Sequence, residues 1–308
     1  MQVISSKDNE FVKHVKKLKE KKYRDLNQEF IIEGIKLVKE AIEEKADIKH
    51  IVVCDNCEDS GVIPKNLMYE IAKYDCVYVT ENILKTMSDV NAPQGILAII
   101  GRNNQENKID YNQDIIVALD DIQDPGNLGT ILRTVDSIGL NQILVSKGTA
   151  DCYNPKVVRS TMGAIFRIKI IECEDIEQTL KETQKNNFKL VVSSLQTKNS
   201  LYDINFEKKV IVIGNEANGV EQRIQDIADE KIKIPENILI KIITFGFNSK
   251  STIMISSVKE NYIIISVQRE IEKLNGDIIE NQEKKIEIEQ NKKSSIYNEI
   301  INFLIKEL

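Results

Sequence analysis

The chain has 308 residues, of which 42% are hydrophobic and 29% are charged. It is therefore long enough for two domains with separate cores, and its composition is that of an ordinary globular protein. Trp is absent and Pro is scarce, which excludes collagen-like and proline-rich chains. The formal net charge of -6 argues against a nucleic-acid partner unless the basic residues are segregated along the chain.

The first predicted element is a polar helix at residues 5–27 that carries a basic cluster. From Lys13 to Arg24 the chain holds seven basic residues and a single acid, Glu20. Such a cluster can neutralise nucleic-acid phosphates and release their counterions. A solvated helix face explains the cluster equally well. The candidate nucleic-acid contacts within it are Lys13, Lys16, Lys17 and Arg24.

Short strands and helices then alternate as far as Gly101. The pattern predicts strands at 30–32, 48–54, 77–79 and 94–101, with helices at 34–46 and 66–73. This alternation predicts a small α/β domain at residues 1–101, called the first domain below. The polar stretch at 102–112, rich in Asn and Gln, is the predicted interdomain linker.

A second alternation begins at the continuous apolar strand 115–119, which is typical of a buried parallel sheet. Further strands are predicted at 142–145, 168–171, 189–193 and 210–213, with helices between most of them. The pattern predicts a parallel sheet covered by helices on both faces, in a second domain at 113–265. The charged residues 266–308 are predicted to form a C-terminal extension.

The cysteines and histidines indicate neither a disulfide framework nor a metal centre. Cys54-x-x-Cys57 is compatible with zinc or redox chemistry, but no second Cys pair and no nearby His follow it. We therefore interpret it as free thiols at the end of a strand. The two histidines, His14 and His50, both lie in the first domain, so Ser-His-Asp hydrolysis lacks a His in the second domain and no metal is predicted.

The chain also lacks the patterns of secretion and membrane insertion. Its N-terminal residues are polar and basic, without the apolar centre of a signal peptide. The most apolar segment, 238–255, is interrupted by Lys241, Asn248 and Lys250, so no run is long enough to span a bilayer. We therefore expect a cytoplasmic protein without a membrane partner.

The first segment that carries chemistry is a buried strand followed by a tight loop and a helix, at 119–133. Asp124 is placed to cap this helix, and Pro125 suits its first turn. Gly126 and Gly129 permit close backbone approach. Open α/β sheets bind ligands where a strand changes into a helix in this way.

Arg133 is the single charged residue in the apolar part of this helix. Its planar, permanently charged guanidinium is suited to hold a phosphate. Pairing with Asp136 or Asp120 is the alternative, and for the helix taken alone it is the better explanation.

The second segment is the strand 211–213 followed by Gly214-Asn215-Glu216-Ala217-Asn218-Gly219. Glu216 is placed either to face a ligand or to cap a helix. No Lys-Ser or Lys-Thr follows Gly219, so the loop is not a phosphate loop. No G-x-G-x-x-G follows any strand, which argues against a dinucleotide dehydrogenase.

These segments together resemble the SpoU (TrmH-like) branch of the SPOUT RNA ribose methyltransferases. The matching stretches are 121–133, 213–219 and 232–235, and the segment 154–164 is similar to the family's R-x-S-x-G-A helix. The first domain resembles the family's ribosomal-protein-like RNA-binding module at 30–34 and 93–96. The resemblance thus covers residues 4–235.

The resemblance implies methyl transfer from S-adenosylmethionine to a ribose 2'-hydroxyl, most often in ribosomal (23S) RNA when this first domain is present. It implies a homodimer with the active site at the subunit interface, and a trefoil knot in the C-terminal part of the sheet, which is an exception to the rule that chains avoid knots. The implied catalytic residues are Asn127, Arg133 and Glu216. The implied cofactor-binding residues are Gly214, Asn215, Gly219, Ile234 and Pro235. Arg159 of the R-x-S-x-G-A helix joins the candidate RNA contacts.

The chain departs from the family pattern after Pro235. The third motif should place Ser-Leu-Asn and a helix of small residues there, but no Ser-Leu-Asn follows Pro235. A frameshifted or diverged C-terminus is the hypothesis for this change. Two alternatives to an rRNA methyltransferase therefore stay open, namely a tRNA ribose methyltransferase and an inactive RNA-binding homologue.

Overall fold

The computed structural model describes residues 3–56, 61–102, 108–194, 197, 199 and 204–232, and beyond these 245–246, 253–258, 262–267, 271–272, 278–279 and 282–287. The chain divides into two compact units, Met1–Pro235 and Glu236–Leu308. The larger unit contains both predicted α/β alternations, each with its own sheet.

The first sheet is built from the N-terminal elements of the larger unit. In chain order these are α1 (Glu10–Lys17), α2 (Lys21–Asn27), β1 (Glu29–Glu33), α3 (Ile35–Glu43), β2 (Ile48–Cys54), α4 (Lys65–Ile71), β3 (Cys76–Val79), α5 (Glu81–Met87) and β4 (Ile96–Gly101). The strand order is β1-β4-β2-β3. β4 pairs antiparallel with β1 and β2, whereas β2 and β3 are parallel. Every residue of β4 is buried, as expected for a strand flanked on both sides.

The single helix predicted at 5–27 is wrong, because the chain forms α1 and α2 with a turn between them. The side chain of Leu18 at this turn is fully buried, together with Val12 and Val15 of α1. The Arg24 guanidinium folds back and donates to the carbonyl oxygens of Leu18 at 2.8 Å and Lys19 at 2.7 Å. These bonds satisfy carbonyls that the end of α1 leaves without helical partners, so the break is stable.

The second sheet confirms the predicted parallel α/β architecture. Its elements are β5 (Ile115–Asp120), α6 (Pro125–Ser137), β6 (Gln142–Ser146), α7 (Pro155–Ser160), a 3₁₀ turn (Ala164–Phe166), β7 (Lys169–Cys173), α8 (Ile176–Lys185), β8 (Lys189–Ser193), β9 (Lys209–Gly214), α9 (Gln222–Asp226) and β10 (Glu230–Ile232). The strand order is β10-β8-β9-β5-β6-β7, and each neighbouring pair is parallel.

The strand order reverses between β5 and β9, so the centre of this sheet is a topological switch point. From β5 the chain proceeds to β6 and β7 on one side, and it later returns to β8, β9 and β10 on the other. The last residues of the two central strands are in register, with Asp120 opposite Gly214. The two segments that carry chemistry therefore leave the sheet next to each other.

The two sheets share a hydrophobic cluster. Phe30 and Ile32 of β1 belong to the same buried cluster as Val158 of α7 and Ile165 of the 3₁₀ turn. Such a shared core holds the first and second domains together more firmly than a short polar linker would.

The smaller unit, Glu236–Leu308, is described through its strands. These are β11 (Phe245–Gly246), β12 (Ile253–Val258), β13 (Tyr262–Val267), β14 (Ile271–Glu272), β15 (Ile278–Ile279) and β16 (Glu283–Glu287). β13 pairs antiparallel with β12 and with β16. β13 thus crosses the predicted boundary at 265, because its ladder with β16 runs from Tyr262 to Ser266. The implied knot depends on residues outside the described ranges.

Candidate active site

The loop after β5 forms as its sequence predicts. Asp124 caps α6 with a side-chain oxygen that accepts from the backbone N–H of Asn127 at 2.8 Å, and Pro125 occupies the first turn. Both predictions are confirmed. The cap fixes the backbone of Asn127 at the helix start, where the N-terminal N–H groups and the helix dipole favour an anion.

The loop after β9 is closed by its own backbone. Asn215 and Gly219 exchange two N–H···O bonds of 3.0 Å and 2.8 Å, and Gly219 has φ +71°, a conformation that favours glycine. A Cβ at Gly214 would lie 2.3 Å from the backbone of Gly219 and Val220. Position 214 at the end of β9 therefore requires glycine, and no side chain covers the backbone there.

Two side-chain hydrogen bonds join the loops. Asn215 Nδ2 donates to the backbone oxygen of Asp121 at 2.9 Å. Asn127 Nδ2 donates to Glu216 Oε1 at 3.0 Å. The Asn127 bond is the largest of the influences that hold the pKa of Glu216 below its ordinary value, so Glu216 is a carboxylate at neutral pH. The fold thus brings together Asn127 and Glu216, two of the three predicted catalytic residues.

Glu216 does not cap a helix, which was the alternative explanation for this residue. The next helix, α9, begins at Gln222 with Glu221 as its N-cap. Glu216 is exposed, and its carboxylate faces the start of α6.

Arg133 lies on an exposed face of α6. Toward the described residues its guanidinium makes no hydrogen bond or ion pair. The two carboxylates considered as structural partners are occupied elsewhere. Asp136 accepts from Arg167 Nη2 at 2.8 Å, and Asp120 accepts from the backbone N–H of Glu221 at 2.8 Å. The structural pairing that the helix alone favoured is therefore not formed.

Gly129 brings the R-x-S-x-G-A helix against α6. A Cβ at Gly129 would lie 2.3 Å from Ser160 Cβ and 3.1 Å from the Val157 backbone oxygen of α7. The close approach expected at this glycine is confirmed. On the far side of α7, Arg159 Nη1 donates to Asp89 Oδ2 of the first domain at 3.0 Å, so this predicted RNA contact lies at the junction of the two domains.

Asp120 and Asp121 were not predicted as site residues, although they follow the apolar strand directly. Asp120 is buried, and burial raises the pKa of its carboxyl above the ordinary value. Asp121 has φ +60°, an uncommon conformation for a residue with a side chain. Polar residues that end a buried strand at a switch point were the available signal.

The predicted RNA contacts of the basic cluster have different environments. Lys16 and Lys17 are exposed, and Lys13 pairs with Glu10 at 3.1 Å. Arg24 is only 2% exposed. As a correction, we no longer count Arg24 among the RNA contacts, because its guanidinium is buried against Asp151 and the carbonyls at the end of α1.

Several earlier predictions concern residues outside the described ranges, namely Cys57, Ile234 and Pro235. Within the described ranges, no group of three or more His, Cys, Asp or Glu side chains is arranged to hold a metal ion. In the same part of the chain, no helix combines the length and the apolar character that crossing a bilayer requires.

Comparisons with known proteins identify the family. The model of the SpoU rRNA Methylase family matches residues 114–243, and the model of the MRM3-like substrate binding domain matches residues 9–98. Over 236 residues, the chain is 31% identical to the 23S rRNA (guanosine(2553)-2'-O)-methyltransferase RlmP of Bacillus subtilis, covering 76% of this chain and 91% of the relative. The chain belongs to the SpoU rRNA methylase family.

Further similar proteins and solved structures support the same family assignment. It is 34% identical over 175 residues to the mitochondrial rRNA methyltransferase 3 of Xenopus tropicalis, covering 54% of this chain and 41% of that longer protein. The crystal structure of an rRNA methyltransferase from Sinorhizobium meliloti superposes with a TM-score of 0.67 at 27% identity, over 77% of this chain and 90% of that one. An AdoMet-bound rRNA methyltransferase structure from the same organism gives the same TM-score and identity.

Proposed function

We propose that this SpoU family member transfers a methyl group from S-adenosylmethionine to the 2'-hydroxyl of a ribose in 23S ribosomal RNA. The observation that carries the proposal is the meeting of the two motif loops where β5 and β9 end, joined by the Asn127–Glu216 hydrogen bond. Open parallel sheets bind ligands at this kind of switch point. The similarity over most of the length of RlmP supports the choice of substrate.

The three polar side chains are assigned complementary roles. A ribose hydroxyl is a poor nucleophile and must lose its proton during attack. We propose that Arg133, which is exposed and has no described partner, clamps the phosphate beside the target ribose and favours ionisation of the hydroxyl. Asn127 and Glu216 orient the ribose.

We propose that backbone groups of the loop after β9 hold S-adenosylmethionine, since the end of that strand carries no side chain at Gly214. Gly214, Asn215 and Gly219 form a closed loop in which a Cβ at position 214 would meet backbone at 2.3 Å. Ile234 and Pro235 complete the proposed set. When bound, S-adenosylmethionine supplies a methyl group on an electrophilic sulfonium. The residues of the chain then act chiefly by holding the hydroxyl in line with that methyl group.

The proposal extends to the assembly and its location. We propose a cytoplasmic homodimer with the active site at the subunit interface and a knotted C-terminal part of the sheet, as the family resemblance implies. We propose the domain organisation 1–101, 102–112, 113–265 and 266–308, except that the boundary at 265 does not divide β13, which runs to Val267. The proposed RNA surface consists of Lys13, Lys16 and Lys17 of α1 and of Arg159 of α7, without Arg24.

Two measurements test the function. Isothermal calorimetry on the purified full chain should detect S-adenosylmethionine binding. If a folded sample binds none, the chain is not the proposed enzyme, and an RNA-binding homologue without activity is favoured instead. Mass spectrometry of ribose methylation, in cells with and without the gene, should show one methylation missing from 23S rRNA. A methylation missing from tRNA instead would overturn the substrate assignment.

A further inference from the structure

A buried ion cluster links the first domain to the second. It consists of Arg24 in α2, Arg102 immediately after β4, and Asp151 in the loop after β6. Their side chains are 2%, 7% and 7% exposed. Arg24 of the N-terminal part of the chain thus binds a buried carboxylate of the methylase part directly. Arg102 lies beside this carboxylate and donates to Asp25 at 2.9 Å and to Glu172 at 3.5 Å.

The hydrogen bonds and the ring contact of the cluster have defined directions. Arg24 Nε donates to Asp151 Oδ2 at 2.9 Å, and Arg24 Nη2 contacts the same oxygen. Arg102 Nη2 lies 3.7 Å from Asp151 Oδ1. The Arg102 guanidinium also lies 4.0 Å from the centroid of the Tyr153 ring. A cation–π contact and planar hydrogen bonds together restrict the orientation of both arginines.

Asp151 is also connected to the candidate active site. The neighbouring Ala150 N–H donates to the backbone oxygen of Ile122 at 2.8 Å, and the Ile122 N–H donates to Thr149 Oγ1 at 3.3 Å. Ile122 lies in the loop that ends at Asp124, the cap of α6. The segment that holds Asp151 is therefore bonded to the loop that fixes Asn127 and precedes Arg133.

We propose that Asp151 is a positioning residue, which fixes the first domain in one orientation relative to the loop 121–124. An RNA held by the first domain then presents its target ribose within reach of Arg133. This inference rests on the proposed function. A buried ion pair contributes little net stability compared with packed apolar side chains, because desolvating the charges is costly. The directional contacts of the cluster set an orientation, which an apolar contact at the same place would define less sharply.

The first test is Asp151→Asn, with Glu177→Gln as the matched control. Glu177 pairs with Lys181 at 2.6 Å within α8, so its replacement also exchanges a paired carboxylate for an amide. We expect Asp151→Asn to lower kcat on a long 23S rRNA fragment by about 10- to 100-fold, the effect of a misplacement of about 1 Å. Calorimetric affinity for S-adenosylmethionine should remain that of the wild type. Wild-type kcat in a folded Asp151→Asn sample overturns the proposal.

A second variant, Arg24→Gln, covers the case in which Asp151→Asn does not fold, since Asp151 then keeps Arg102 as its partner. Hydrogen exchange of the Ala150 amide, measured by NMR, reports the bond to Ile122 without any methylation assay. We expect faster exchange in Arg24→Gln and the wild-type rate in Glu177→Gln. Unchanged exchange together with unchanged kcat overturns the positioning role. A wild type that methylates no RNA refutes the proposed function, whereas the exchange result still decides whether the domains are coupled.

Discussion

Arg133 at the active-site edge and Arg24 at the junction between the domains have opposite environments. Arg133 at the edge is exposed, and its guanidinium makes no hydrogen bond or ion pair with the described residues. Arg24 at the junction is 2% exposed, and its guanidinium binds Asp151 and two carbonyl oxygens. Arg24 uses four of its five N–H donors within the protein, so it holds the structure together, whereas an arginine with unused donors is available to a ligand.

The largest expected effect is the loss of methyl transfer when Arg133 at the active-site edge is replaced. Arg133→Ala should lower turnover by about 10³-fold, because a charge that stabilises the reacting groups is lost. The thermal midpoint should not change, because no described contact of the Arg133 guanidinium is removed. Methyl transfer to rRNA from radiolabelled S-adenosylmethionine measures the first effect and calorimetry the second. Arg223→Ala, which removes another exposed arginine of the same domain, is the control. Wild-type turnover in Arg133→Ala would remove this residue from the mechanism.

Replacing Arg24 at the junction should instead lower the stability of the folded protein. Arg24→Ala should lower the free energy of unfolding by about 3 kcal/mol, since it leaves a buried carboxylate without its closest partner. Urea denaturation followed by circular dichroism measures this loss. Lys22→Ala changes an exposed residue of the same helix and should cost at most about 0.5 kcal/mol. Equal effects of the two substitutions would contradict the structural role of Arg24.

The next largest loss of stability is expected from a substitution at the contact between α6 and α7. Gly129→Ala should cost about 1–3 kcal/mol, because its new Cβ meets Ser160 Cβ at 2.3 Å and forces the helices apart. Differential scanning calorimetry should show the thermal midpoint falling, with partial recovery in the double variant Gly129→Ala/Ser160→Gly. A double variant that is no more stable than Gly129→Ala would mean that the crowding lies elsewhere.

The smallest expected effect concerns the pKa of Glu216. The Asn127 hydrogen bond lowers this pKa, so the bond contributes stability above the ordinary pKa of a glutamate and loses it as the pH falls through the lowered value. In Asn127→Ala the pKa of Glu216 should rise toward the ordinary value, as measured by carboxyl ¹³C NMR. Asn112→Ala, whose side chain binds Asp110 instead, is the control. An unchanged pKa of Glu216 in Asn127→Ala would show that the hydrogen bond is absent in solution.

Local sequence signals predicted the pieces of the active-site edge correctly. The continuous apolar strand 115–119, the Asp124 cap and the close approach at Gly129 are all confirmed. Each depends on neighbours within a few residues or on the absence of a side chain, and such effects act locally. The catalytic roles of Asn127, Arg133 and Glu216 stay predictions, since they concern a reaction and not a contact within the chain.

The amino-acid sequence by itself determined the family, the two α/β alternations and the two loops that carry the chemistry, because periodicity and turn residues are encoded locally. The tertiary structure decided the strand order that places Glu216 beside Asn127. It also decided that Arg24 is buried in an ion pair, while Arg133 has no hydrogen-bond or ion-pair partner among the described residues. Arg24 lies in a basic cluster of the sequence. In the fold it is buried and bonded to Asp151, which is 127 residues away in the sequence. Burial and ion pairing arise from contacts between distant segments, which no local pattern specifies.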